Sequence, residues 1–111
     1  MRMRKKKNLI PRMERCEQIL VRDPFGMKGH WRERFPNVRE VRLELGCGKG
    51  RFTVETAAAE PDVALIAVEK VPDAMVVAME RAMSAGLENI AFVCGDAALL
   101  EDMFSAGEVD R

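Results

Sequence analysis

Val41-Arg42-Leu43-Glu44-Leu45-Gly46-Cys47-Gly48-Lys49-Gly50 is the stretch on which the reading of this chain turns. Five residues of strand character, Val41 to Leu45, run into three alternating glycines, and an Ala-rich segment follows. A strand that turns sharply into a helix needs residues that tolerate positive φ. It also needs bare backbone wherever a ligand comes close, so the glycines have a mechanical reason. Their spacing is Gly-x-Gly-x-Gly, whereas a dinucleotide fingerprint is Gly-x-Gly-x-x-Gly and would place a glycine where Arg51 stands. The turn therefore suits a nucleotide-like cofactor without a pyrophosphate better than a nicotinamide or flavin. A plain tight βα turn would use the same residues.

Outward from the turn, apolar runs and breakers alternate regularly. A helix is expected from near Gly50 to Ala59, with Phe52, Val54, Ala57 and Ala58 as its apolar positions and Pro61 as its stop. Val63-Ala64-Leu65-Ile66-Ala67-Val68 is a continuous apolar run of strand length, as a strand buried on both faces requires. Pro72 opens a helix to about Ala85, with Met75, Val76, Met79, Ala82 and Met83 at helical spacing and Gly86 at its end. The methionines belong to the core. Ile90 to Cys94 reads as a third strand, Gly95-Asp96-Ala97 as a turn, and Leu99 to Phe104 as a short third helix. This alternation predicts an α/β fold, a partial doubly wound parallel sheet with strand order 3-2-1. Glu69 ends the second strand about 20 residues past the glycines, where a carboxylate can accept hydrogen bonds from ribose hydroxyls. The glycine turn, Glu69 and Asp96 all fall at the carboxyl edge of the sheet, where open α/β folds bind ligands.

Upstream, the character changes. Residues 1–42 carry 13 Lys/Arg against 5 Asp/Glu, and the rest of the chain reverses those numbers. Arg2, Arg4, Lys5, Lys6, Lys7 and Arg12 form a dense cluster with nucleic-acid phosphates as its natural partner, although a solubilising tail has the same composition. The organisation expected is a basic arm with a short helix over 1–40 and an α/β unit over 41–111. Within the arm, Pro11 to Leu20 offers a helix with Met13, Cys16, Ile19 and Leu20 on one face, and Phe25 to Asn37 reads as loop. Trp31 and Phe35 are spaced to pack on one side of a helical turn, where they would cover the edge of the core. No apolar stretch reaches membrane-span length, and a cytoplasmic location is expected. Cys16, Cys47 and Cys94 with the lone His30 suggest neither a disulfide framework nor a metal site. Cys47 is read as a small filler of the turn, not a nucleophile.

On these residues the chain resembles the class I S-adenosylmethionine-dependent methyltransferases. Their first strand carries Glu-x-Gly-x-Gly-x-Gly, here Glu44 to Gly50. The resemblance implies cofactor-binding roles for Glu44, Gly46, Gly48, Gly50, Glu69, Asp96 and Ala97. Glu69 would hold the ribose, Asp96 the adenine amino group, and Ala97 would supply a backbone amide. The chain is more specifically similar to the bacterial tRNA (guanine-N7)-methyltransferases. The shared features are Glu-x-Gly-Cys-Gly-Lys-Gly-x-Phe through Phe52, an early basic stretch, Lys28-Gly29-His30-Trp31, and the run Phe104 to Arg111 ending Gly-Glu-Val-Asp-Arg.

That similarity implies in-line attack of guanine N7 of a tRNA on the sulfonium methyl of S-adenosylmethionine. It also implies a continuation past Arg111 into a fourth strand ending in an Asp-Pro-Trp-Pro-Lys-like motif. The catalytic residues are expected there, and the isolated piece is expected to be inactive. Three parallel strands leave the first as an open edge, to be covered by the C-terminal half or by a second copy. Two rival readings are an NAD-type nucleotide-binding half-domain and a non-catalytic basic RNA-binding module.

Overall fold

The computed structural model describes residues 8–110. Three parallel strands, β1 (Glu40–Leu45), β2 (Val63–Glu69) and β3 (Ile90–Cys94), lie in the order β1-β2-β3, with Glu40 opposite Val63 and Leu65 opposite Ile90. This is the expected 3-2-1 half-sheet. Every residue of β2 is buried, as its unbroken apolar run requires in the central strand of a covered sheet.

Helices α3 (Arg51–Ala59) and α4 (Pro72–Ser84) make the two crossovers and share a core with Leu65, Ala67, Ile90 and Phe92. Met75, Val76, Met79 and Ala82 are all buried there, so the spacing of those residues correctly marks the inner face of α4. In α3 the apolar residues mark the inner face only in part. Phe52 is 74% exposed, and the buried stripe is Thr53 and Ala57, with Val54 packed beside them. Asn89 ties the end of α3 to the start of β2, its Nδ2 donating to the carbonyls of Ala57 (2.9 Å), Glu60 (3.1 Å) and Val63 (2.9 Å).

The segment ahead of β1 is folded against both faces of the sheet. Where a single helix is expected from Pro11 to Leu20, the chain forms α1 (Leu9–Glu14), then a 3-10 turn (Glu17–Ile19), and leaves helical geometry at Leu20. Leu20 bridges to Phe92 as a short parallel strand, and Val21 N–H donates to Phe92 O at 2.9 Å. The unpaired edge of β3 offers backbone partners to Leu20 and Val21, whose β propensity then outweighs continuation of the helix.

On the opposite face, the expected helical turn forms as α2 (Trp31–Arg34), and both Trp31 and Phe35 are buried. Trp31 Nε1 donates to Met103 O at 2.7 Å, and its ring stacks on Phe104 at 4.9 Å. The third helix is shorter than expected: a 3-10 turn (Ala97–Leu99) leads into α5 (Leu100–Met103). The outer edge of β1 is engaged at its start, because Val41 accepts from Asp110 N and donates its N–H to Asp110 Oδ2, both at 2.8 Å.

The two oppositely charged halves meet in ion pairs. Arg12 lies on Glu80, Arg32 on Asp110, Arg39 on Asp62 and Arg42 on Glu60. Among the described residues, much of the basic surplus is therefore matched internally.

Candidate functional site

The glycine turn begins where the β1–β2 ladder runs out. Gly46 N–H donates to Val68 O at 2.7 Å, and the chain then passes through Gly46, Gly48 and Gly50, all at positive φ, into α3. Their lack of side chains has two different causes. A Cβ on Gly50 would lie 2.3 Å from Ala78 Cβ, so this glycine lets α3 close onto α4. At Gly46 and Gly48 an added Cβ would meet nothing within 4 Å, which leaves bare backbone facing open space.

Glu69 governs the turn from β2. Its Oε1 accepts from Gly48 N at 2.8 Å and its Oε2 from Val71 N at 3.1 Å, while the residue is only 8% exposed. An ionised carboxylate has about four acceptor positions, so capacity remains beyond these two bonds. Glu44, near the end of β1, accepts a hydrogen bond from Thr53 Oγ1. Cys47 lies within the field of both carboxylates. Burial, then Glu69, then Glu44 push its thiol up to about 12, which leaves it protonated and inert at neutral pH.

At the end of β3, Gly95 N–H donates to Glu69 O at 3.1 Å, and Asp96 caps the following turn through Oδ1, which accepts from Ala98 N at 2.9 Å. A cavity of about 210 Å³ opens between these strand ends, lined by Gly46, Val68, Glu69, Lys70, Gly95, Asp96 and Ala97. Four of the seven residues singled out as cofactor-binding, Gly46, Glu69, Asp96 and Ala97, thus converge on one hollow. Glu44, Gly48 and Gly50 do not line it. Lys70 does, and the sequence reading missed it, although its place directly after Glu69 at a strand end was a usable signal. A larger hollow of about 440 Å³, bounded by Arg34, Phe35, Pro61, Leu87 and Asn89, lies at the opposite, amino edge and holds none of the predicted site residues. We take the smaller cavity as the site because the strand carboxyl ends meet there.

Of the RNA-binding candidates, Arg2, Arg4, Lys5, Lys6 and Lys7 lie outside the described residues. Arg12 is described, and its guanidinium is held in a two-pronged pair by Glu80, with Nε to Oε2 at 2.8 Å. No helix among the described residues is long and apolar enough to cross a membrane.

With this arrangement in place, the chain can be set beside known proteins. Residues 38–111 match the family model described as "Putative methyltransferase", and the chain belongs to that family. Over all 111 residues it is 35% identical to the tRNA (guanine-N(7)-)-methyltransferase of Limosilactobacillus fermentum, covering 52% of that protein. Over 94 residues it is 45% identical to the enzyme of the same name from Lacticaseibacillus casei, covering 85% of this chain and 44% of the relative. The chain spans about half the length of the curated relatives it matches. Among solved structures, the antibiotic-resistance methyltransferase Kmr superposes with a TM-score of 0.51 at 26% identity, over 61% of this chain and 37% of its own.

Proposed function

We propose that the whole protein methylates guanine N7 in tRNA with S-adenosylmethionine as methyl donor, and that this chain supplies the cofactor-binding half. One observation carries the reading. Gly46, Glu69, Asp96 and Ala97, spread over some fifty residues of sequence, line a single cavity at the carboxyl edge of the sheet. The names of the relatives point to the same chemistry.

The residues present fit the group. Glu69 has acceptor capacity left for ribose hydroxyls, and Asp96, with Oδ1 engaged by Ala98 N, keeps a second oxygen for an amino group. Gly46 and Gly48 present bare backbone at positive φ. The cavity is smaller than the roughly 300–1,000 Å³ of drug-sized ligand sites, so these residues form one wall of the pocket. S-adenosylmethionine supplies an already activated methyl group, and N7 of guanine carries an in-plane lone pair and no proton. The protein's task is then positioning and electrostatics, with no general base required. Arg2, Arg4, Lys5, Lys6 and Lys7 are assigned to tRNA phosphates. Arg12, held by Glu80, joins them at the root of the arm. The outer edge of β1 beyond Val41 is where a further strand or a second copy would pair. A cytoplasmic setting follows from the substrate.

The test is to incubate the whole protein with tRNA and methyl-labelled S-adenosylmethionine, then analyse the digested nucleosides by mass spectrometry. Label in 7-methylguanosine is expected. Label in another nucleoside would overturn the N7 assignment, and a complex with NAD and none with S-adenosylmethionine would favour the NAD-type nucleotide-binding reading.

A further inference from the structure

Thr53 lies in the first turn of α3, is 0% exposed, and is polar where the rest of that helix face is apolar. A buried hydroxyl has to find a partner, and a helical threonine commonly returns to the carbonyl four residues back. Thr53 instead donates across to Glu44 Oε1 on β1, nine residues earlier. We propose that Thr53 is a positioning residue for the cofactor, fixing the Glu44 carboxylate at the mouth of the glycine turn. The inference rests on the S-adenosylmethionine reading above.

Three features support it. Glu44 is half-buried at the end of a strand, and its long side chain would otherwise sample several rotamers. Glu44 and Glu69 both act on the Cys47 thiol, so both carboxylates stand near the one turn. A hydroxyl donor to Glu44 Oε1 restricts that rotamer freedom. Finally, the donor is rigidly mounted. Thr53 is fully buried, and the start of α3 is held close against α4 by the absence of a side chain at Gly50. Glu44 does not line the cavity itself; it stands two residues before Gly46, where the turn leaves backbone facing open space. The donors of the cofactor's amino-acid portion suit a fixed carboxylate there.

The test compares Thr53→Ser with Thr53→Ala in the whole protein by calorimetric titration with S-adenosylmethionine. Both variants lose the same methyl group, and only serine keeps the hydroxyl. Serine should bind within twofold of wild type, and alanine about fivefold more weakly, the loss expected for one hydrogen bond. In a Glu44→Ala background the difference between serine and alanine should vanish. Equal affinities for Thr53→Ser and Thr53→Ala, or a difference that persists without Glu44, would overturn the proposal. If Thr53→Ala does not fold, Thr53→Val, which keeps the shape of threonine and removes only the hydroxyl, is compared directly with wild type and should show the same loss. Failure of the wild-type protein to bind S-adenosylmethionine would instead remove the cofactor reading, and this inference with it.

Discussion

Two carboxylates organise two loop junctions in this molecule, and they do so differently. Glu108 sits at the corner between α2 and the chain after α5. Its Oε1 accepts from Gly29 N, Ser105 N and Ser105 Oγ, and its Oε2 from Trp31 N at 2.9 Å. These four bonds, three of them on Oε1, use most of its acceptor positions. Glu69 accepts two, from Gly48 N and Val71 N, and borders a cavity. Both residues are more than nine-tenths buried. What separates them is spare acceptor capacity at an opening: a carboxylate taken up by four donors holds structure, whereas one with two donors beside a hollow can hold a ligand.

The corner should carry the larger stability effects. Trp31→Ala removes a fully buried ring, its stack on Phe104 and its bond to Met103 O. A loss of about 3–5 kcal/mol is expected in denaturant titration. Next comes a pair of glycine substitutions within the turn. Gly50→Ala meets Ala78 at positive φ and should cost about 2–4 kcal/mol, whereas Gly48→Ala, which meets nothing, should cost only the left-handed strain of about 1–2 kcal/mol. Equal costs would mean that the turn is not packed on α4 as described.

Glu108→Gln should cost about 2 kcal/mol at neutral pH, because an amide cannot accept all four bonds. Burial opposes ionisation of Glu108, but hydrogen bonds from Ser105, Gly29 and Trp31 outweigh it and hold the carboxyl below its ordinary value. A depressed folded-state pKa stabilises the protein above the unfolded-state value, about 4.3, and that contribution fades as pH falls through the lower folded value. The stability gap between wild type and Glu108→Gln should therefore narrow on acidification below about pH 4. A constant gap would show that the corner does not depend on the charge. The smallest stability effect belongs to Asp96→Ala, which loses one capping bond worth about 1 kcal/mol while weakening S-adenosylmethionine binding several-fold in calorimetry. Unchanged affinity would remove Asp96 from the site.

How much of this was legible in the chain follows the range of the forces involved. Strands β2 and β3 and helix α4 are announced by local runs of apolar residues and by Pro72, so their bounds agree with the structure to within a residue. The glycine turn, Glu69 and Asp96 are local signals too, and the topology alone brings them to one edge. The segment from Pro11 to Leu20 departs from a single helix because the edge of β3 that captures Leu20 lies some seventy residues away. Phe52 was expected among the apolar positions of α3, but the tight approach at Gly50 sets the helix rotation and turns Thr53 inward. Thr53, Lys70 and Glu108 were not singled out individually. Each is a polar residue of unremarkable type, and its role depends on a partner or an opening that sequence spacing does not reveal. In sequence the run Gly107-Glu108-Val109-Asp110 is only a shared motif, and its physical basis is the set of bonds to Gly29, Trp31 and Val41.

The contrast between Glu69 and Glu108 can be put to one measurement: calorimetric titration of S-adenosylmethionine into wild type, Glu69→Gln and Glu108→Gln at a temperature where all three are folded. Glu69→Gln should weaken binding on the order of tenfold or more, the loss expected when a charged acceptor is removed, while Glu108→Gln binds as wild type. Undiminished affinity in Glu69→Gln would contradict the assignment of the site.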